Sequence, residues 1–168
     1  QQVFREDINR IFSRNNLAYE LRPDGQVVRL APAVLSESLS SARFRTSDSI
    51  LNGMLEESRA KFLNPSQSIR REAVERLWDC WERLKSLDSP GNKKQSIESL
   101  LLQAAPDAAF RSVLETEARA LTEIGNSFHI RHSEVTQSAL TDSAHIDYLF
   151  HRLYSLMALL LSKRGGSS

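Results

Sequence analysis

The chain has 168 residues, 40% of them hydrophobic and 26% charged, with a formal net charge of +1. That profile fits one globular domain with a core large enough to fold alone, and the near balance of charge excludes a generally polycationic nucleic-acid binder, so any basic surface must be local. A single cysteine, Cys80, excludes an intrachain disulfide framework and fits a reducing, cytoplasmic setting. No signal peptide is legible, and the longest apolar run, residues 153–161, is too short to span a bilayer, so no membrane partner is expected. The first residue is Gln1 rather than methionine, which leaves room for the chain to be part of something longer.

Residues 1–15 place Val3, Phe4, Ile8, Ile11 and Phe12 on one stripe of a short helix. The stretches 17–21 and 26–30 flank Arg22-Pro23-Asp24-Gly25, in which Pro presets a turn and Asp-Gly accepts the dihedrals that reverse the chain, so a β-hairpin is expected. A lone hairpin is marginal in water and should lie against helices or another chain. Pro32 opens a possible short helix to Leu39, followed by a Ser- and Arg-rich loop to Arg45. Thr46-Ser47-Asp48 offers caps for a helix with Ile50, Leu51, Met54, Leu55 and Phe62 inward, which Asn64-Pro65 stops.

The clearest helix begins at Ser66 or Ser68. It turns Ile69, Ala73, Val74, Leu77, Trp78, Trp81 and Leu84 inward and a mixed-sign charged face, including Arg70, outward. Cys80 on that helix reads as a small buried thiol before it reads as a nucleophile. Residues 88–94 form the best loop, with Lys93 and Lys94 adjacent in it; one glycine there is no phosphate-cradling pattern. A helix resumes at Ser96. Another starts at Pro106-Asp107 with Phe110, Val113, Leu114, Ala118, Leu121 and Ile124 at helical spacing, until Gly125-Asn126 offers a bend or cap. The last helix, about 143–163, is broadly apolar, which suggests a central position or a dimer face, and 165–168 reads as a disordered tail. Six or seven helices and one hairpin make this a mostly α bundle.

Chemistry concentrates after Gly125. All four histidines, His129, His132, His145 and His151, fall in one short part of the chain. His129, Arg131, His132 and Glu134 can be read three ways: Arg131 holds a phosphate while His132 passes a proton; the two imidazoles, three residues apart, join a carboxylate on a metal; or Arg131 and Glu134 form an ion pair beside partly buried imidazoles. No cysteine or second such pattern supports a metal. On the last helix Asp147 and His151, four residues apart, can orient an imidazole, with Tyr148 and Arg152 alongside, although such a group is more commonly the polar edge of a packed helix.

The helical context, the Gly-Asn pair, Phe128-His129-Ile130-Arg131-His132-Ser133-Glu134 and Asp147-Tyr148-Leu149-Phe150-His151-Arg152-Leu153 together resemble the HEPN domains (higher eukaryotes and prokaryotes nucleotide-binding), those of bacterial abortive-infection and anti-phage systems above all. The resemblance covers roughly residues 46–164, leaving 1–45 as an extension. It implies a helical bundle, commonly a homodimer, that cuts RNA without a metal or other cofactor. The family motif is an Arg, an immediately following Asn, Asp or His, and a His several positions on. Arg131 and His132 match the first two; the third falls at Thr136, Gln137 or Ser138, none of them a histidine. Either His129, His132 or a histidine of the last helix replaces the missing proton carrier, or the domain binds RNA or a partner without cutting. Arg131, His132, Glu134 and His129 are the catalytic candidates, and Arg131, Lys93, Lys94 and Arg152 the RNA contacts. The competing reading is a non-catalytic module whose hairpin and last helix dock another subunit or domain.

Overall fold

In the computed structural model, which describes residues 2–15, 17–30, 46–89, 91–128 and 140–164, the order of elements is α1 (Gln2–Arg14), β1 (Tyr19–Leu21), β2 (Val27–Arg29), α2 (Ser49–Phe62), α3 (Gln67–Leu84), α4 (Lys93–Ala104), α5 (Ala108–Ser127) and α6 (Ser143–Arg164). Among the described residues the protein is therefore mostly α, with six helices and one antiparallel hairpin, as the sequence predicts. The expected short helix from Pro32 and the tail at 165–168 lie outside the described residues.

The hairpin pairs Tyr19 with Arg29 and Leu21 with Val27. Its reversal falls at the expected Asp24-Gly25 pair: Gly25 takes a positive φ of 83°, and the Asp24 carboxylate accepts the Gln26 amide at 3.0 Å. Strands of three residues are too short to stand alone. The outer edge of β1 is closed by Asn9 of α1, whose side chain accepts from the Leu21 amide at 2.6 Å and donates to the Leu21 carbonyl at 3.1 Å. On the other edge the Arg29 amide donates to the Leu63 carbonyl at the end of α2, 2.8 Å away. The hairpin thus lies between α1 and the bundle. Helix α1 itself buries no residue, and Val3, Phe4 and Ile11 of its stripe are 70%, 65% and 52% exposed.

Helices α2 and α3 run antiparallel. Asp48 caps α2 by accepting the Leu51 amide at 2.6 Å, and the same carboxylate takes Arg83 near the end of α3 at 2.8 and 3.1 Å. Those bonds, the Arg83 guanidinium first, hold the Asp48 carboxyl below its ordinary range. Buried Ser58 donates to the Ala73 carbonyl at 2.7 Å, which satisfies a hydroxyl inside the α2–α3 seam. Helix α6 packs on α3, α4 and α5. Ile146, Leu149, Phe150, Leu153, Leu156, Met157 and Leu160 are all buried, and Phe150 stacks on Phe62 with ring centres 3.8 Å apart. Its breadth of apolar surface is that of a central helix.

Several expectations need correction. Arg70, placed on the solvated face of α3, is 4% exposed. Lys93 and Lys94 are not in the preceding loop: Asn92 caps α4 by accepting the Gln95 amide, so both lysines open a helix. Ile50, Phe110 and Val113, assigned inward, are more than half exposed at 58%, 51% and 60%, while Leu51 and Leu114 next to them are buried, so the inward stripes of α2 and α5 are narrower than the spacing predicts. Gly125-Asn126 neither bends nor caps α5, which continues to Ser127. Gly125 is buried within the helix, and a Cβ there would lie 2.3 Å from two atoms of the Trp78 indole.

That contact yields a prediction. Neither a helix backbone nor a fully buried indole can yield cheaply, so Gly125→Ala should cost about 3 kcal/mol, the upper part of the range for overpacking. The check is the urea midpoint at unchanged slope; an alanine variant as stable as the parent would show that Trp78 has room to move.

Candidate functional site

At the start of α6 three elements meet around one carboxylate. Asp147 takes Arg29 of β2 through Oδ2 at 2.6 Å, while its Oδ1 faces Arg70 Nε of α3 at 3.6 Å. Neither Oδ1 nor that Nε has a hydrogen-bond partner among the described residues. The rest of the Arg70 guanidinium is well used: it donates to the Pro65 carbonyl at 2.7 Å and to the Ser143 hydroxyl at 2.6 Å. Gln67, one turn earlier on α3, donates to the Thr141 carbonyl, and Asp142 caps α6 by accepting the Ala144 and His145 amides at 2.7 and 3.3 Å. The first turn of α6 is thereby fixed to the first turn of α3.

His151 lies one turn beyond Asp147 without a hydrogen bond to it among the described residues. Its ring stands edge-on to Phe62 at 5.1 Å and to Phe150 at 6.0 Å. Burial against these rings pushes the imidazole below its ordinary pKa, more than Asp147 raises it, and Arg29 lowers it further. His151 is therefore a packed, preferentially neutral histidine rather than one oriented by Asp147. His145 is exposed at the start of the same helix.

Arg152, assigned to RNA, is joined to Glu117 of α5 by two bonds of 2.6 and 2.9 Å and lies over the Tyr148 ring at 5.8 Å. The pair holds Glu117 below the usual carboxylate range. This guanidinium is committed to the α5–α6 contact. Lys93 reaches Glu82 at 3.1 Å and Lys94 reaches Glu98 at 3.9 Å. Cys80 is fully buried, and burial lifts its thiol to about 12, so the thiolate needed for nucleophilic chemistry is absent at neutral pH.

His129, Arg131, His132 and Glu134 lie outside the described residues, which end at the α5 cap Phe128 and resume at buried Leu140. Among the described residues no group of three or more His, Cys, Asp or Glu is placed to hold a metal ion, and no helix is long and apolar enough to cross a membrane. The chain matches no known protein family, no curated protein and no solved structure.

The Asp147 cluster escaped the reading of the sequence, yet it left a signal. Arg70 precedes Val74, Leu77 and Trp81 at helical spacing, so position, as opposed to residue type, puts it on the inward stripe. Lys85 extends the same stripe at the other end and is equally buried.

Two outcomes follow. Removing the carboxylate with Asp147→Ala leaves the buried Arg70 guanidinium uncompensated, and with Asp147 itself partly solvated we expect a loss of about 2–3 kcal/mol, below the range for a wholly buried pair. Thermal unfolding checks it, and a neutral result would mean that solvent replaces the ion. As for pH, His151 has its folded pKa below its unfolded value, so the unfolded chain binds more protons between the two. Stability contributed by neutral His151 should be present above about pH 6.5 and be lost as pH falls through that window toward the folded pKa. His151→Gln should flatten the dependence of the melting temperature on pH there; an unchanged slope would assign it to other groups.

Proposed function

We propose that the protein is a HEPN-like domain of a bacterial defence or toxin system that binds RNA and cleaves it without a metal, as a cytoplasmic homodimer. The observation that carries the reading is a mostly α bundle whose broadly apolar last helix runs through the centre, with the Phe128-to-Glu134 motif in the connection between α5 and that helix. This is the order of features that the resemblance implies.

The chemistry asked of the residues is modest. Arg131 neutralises a phosphate as negative charge builds on it, and His132 takes or returns a proton. Cleavage needs a base and an acid, so a second carrier is required where the motif's own histidine is missing. His129 is the nearest in sequence. Of the two on α6, exposed His145 suits the task better than His151, which is packed against Phe62. Without a second carrier the same Arg–His pair binds RNA and does not cut it.

The test uses purified protein and single-stranded RNA in excess chelator. Cleavage should persist in chelator, and Arg131→Ala should slow it by about two orders of magnitude, the usual consequence of losing one charge-stabilising donor, with no change in melting temperature. If the parent only retains RNA, the variant should release it. RNA handling identical in parent and variant would sink the assignment.

One observation favours the second reading, a non-catalytic assembly module. The Phe4 and Ile11 side of α1 faces solvent, and apolar stripes of this kind are commonly covered by a partner. The last helix cannot serve that role with its apolar face, which is buried in the bundle. Phe4→Asp with Ile11→Asp should convert a dimer to monomers in sedimentation velocity without lowering stability. Monomeric parent protein would remove the dimer from either reading.

A further inference from the structure

We propose that the cleft between α4 and α5 binds a small apolar zwitterion whose two charges stand about 6 Å apart, in chemical terms a dipeptide of hydrophobic residues. The cleft encloses about 600 Å³, within the range of small-molecule sites. Its floor is apolar, made by Ile97 and Leu101 of α4 and Ala118 of α5. Leu101 and Ala118 are buried parts of the core, so the floor keeps its shape whether or not it is covered. Hydrophobic side chains laid on it would be removed from water on both sides.

The charges around the floor are sorted by sign along its length. Helices α4 and α5 fold back on each other across the short connection 105–107, so positions equally far from it stand opposite each other over the cleft. Glu98 and Glu115 lie about two turns from the connection and Lys94 and Arg119 about three, and all four line the cleft. The step from one set to the other is one helical turn on either helix, about 6 Å of rise. One end of the cleft therefore offers two carboxylates and the other two cations. Lys85 closes the cationic end. Its side chain is 5% exposed, and its ammonium is held by Glu82, by the Thr122 hydroxyl at 3.5 Å and over the Trp81 ring at 5.4 Å. Thr122 in turn accepts from the Trp81 indole at 3.2 Å and donates to the Ala118 carbonyl at 2.9 Å, so this wall is fixed before any ligand arrives.

None of the four exposed charges is tightly used. Lys94 and Glu98 approach only to 3.9 Å with side chains 87% and 59% exposed, a contact that solvent leaves with little strength. Glu115 and Arg119 have the order and spacing that favour an ion pair along a helix, yet neither makes one with any described residue. The signs then choose the ligand. A polyanion lying in the cleft would meet both carboxylates, and a polycation both cations. A zwitterion meets the opposite sign at each end: its carboxylate goes to Lys94 and Arg119, and its ammonium to Glu98 and Glu115. The spacing chooses among zwitterions. Two residues of extended chain span about 7 Å, close to the step between the two sets, whereas the ammonium and carboxylate of a single amino acid flank one carbon.

The carboxylates on which the site depends have no part in binding RNA, so this proposal and the RNA reading above fail separately. The experiment follows the methyl signals of Ile97, Leu101 and Ala118 by NMR during titration with leucyl-phenylalanine, its N-acetyl form, its C-terminal amide and free leucine. The dipeptide should move these methyls with a dissociation constant below about 1 mM, and the two blocked forms and leucine should each bind roughly tenfold more weakly. Glu98→Gln with Glu115→Gln should weaken the dipeptide roughly tenfold and leave the N-acetyl form as it was, because that form lacks the ammonium the carboxylates receive. Lys94→Gln with Arg119→Gln should weaken the dipeptide to the same extent and spare the amide. All four positions are exposed, so each variant should melt with the parent. Methyls unmoved by millimolar dipeptide, blocked forms that bind as tightly as the free dipeptide, or leucine that binds equally well would each overturn the proposal. So would variants that bind all four compounds as the parent does.

Discussion

The indole of Trp78 occupies the space that a side chain at position 125 would need, and the approach of α5 to α3 depends on that fact. Its ring nitrogen donates to the Leu121 carbonyl at 3.0 Å, so the indole is satisfied against the backbone of α5 as well as packed on it. A fully buried tryptophan removes some 150–250 Å² from water, which at about 25 cal/mol per Å² is several kcal/mol. A surface ion pair contributes roughly 0–1 kcal/mol. The approach of α3 to α5 is therefore decided by this contact and not by the charged pairs around it. Because Trp81, one turn minus a residue further along α3, bonds Thr122 on the same helix, the pair of tryptophans sets both the height and the rotation of α5, and with it the shape of the cleft that α5 makes with α4.

Charge in the interior has a different role. Arg70 and Lys85 stand at the two ends of the inward stripe of α3, where the apolar core gives way to helix ends and solvent. Each is matched by a carboxylate, Asp147 and Glu82 respectively. Taking such groups out of water costs about as much as their attraction returns, so their effect lies more in register than in net stability: only one rotation of α6 brings Asp147 between Arg70 and Arg29. The same cluster is the hairpin's second attachment, beside the bond from the Arg29 amide to Leu63. Helix α1 has less still, being tied to β1 through Asn9 and an edge contact of Phe12 with Tyr19. Stability thus declines outward from the bundle through the hairpin to α1.

Signals acting over a few residues were legible. Asp48 and Asp107 each cap a helix by accepting an amide three residues on, Asn64-Pro65 separates α2 from α3, and Pro-Asp-Gly reverses the hairpin. What failed was judged by residue type. An arginine inside an apolar stripe was assigned to solvent, although its position argued otherwise. A Gly-Asn pair was read as a break because glycine is flexible, when α5 uses glycine for its lack of a side chain. Phe110 and Val113 were sent inward by a periodicity that holds only where a neighbouring helix exists to receive it. For the site, the sequence supplied identities and order. Which histidine is packed and which arginine is already paired depend on contacts between α5 and α6, and no local spacing contains them.

Those contacts narrow the chemistry that remains. A helix N-terminus is a ready place for a phosphate, and α6 begins just after the motif. Yet the two amides that would serve are already taken by the Asp142 carboxylate, and their bonds hold that carboxyl below its ordinary range. An anion arriving there would meet a carboxylate. Arg152 is likewise engaged with Glu117, and Arg70 is buried under Ser143 and Asp147. Neither of these two guanidiniums is therefore free to balance a phosphate at the start of α6. Arg131 is the one guanidinium that the motif contains, which is why substitution at that residue carries more information about function than any change in the surrounding helices.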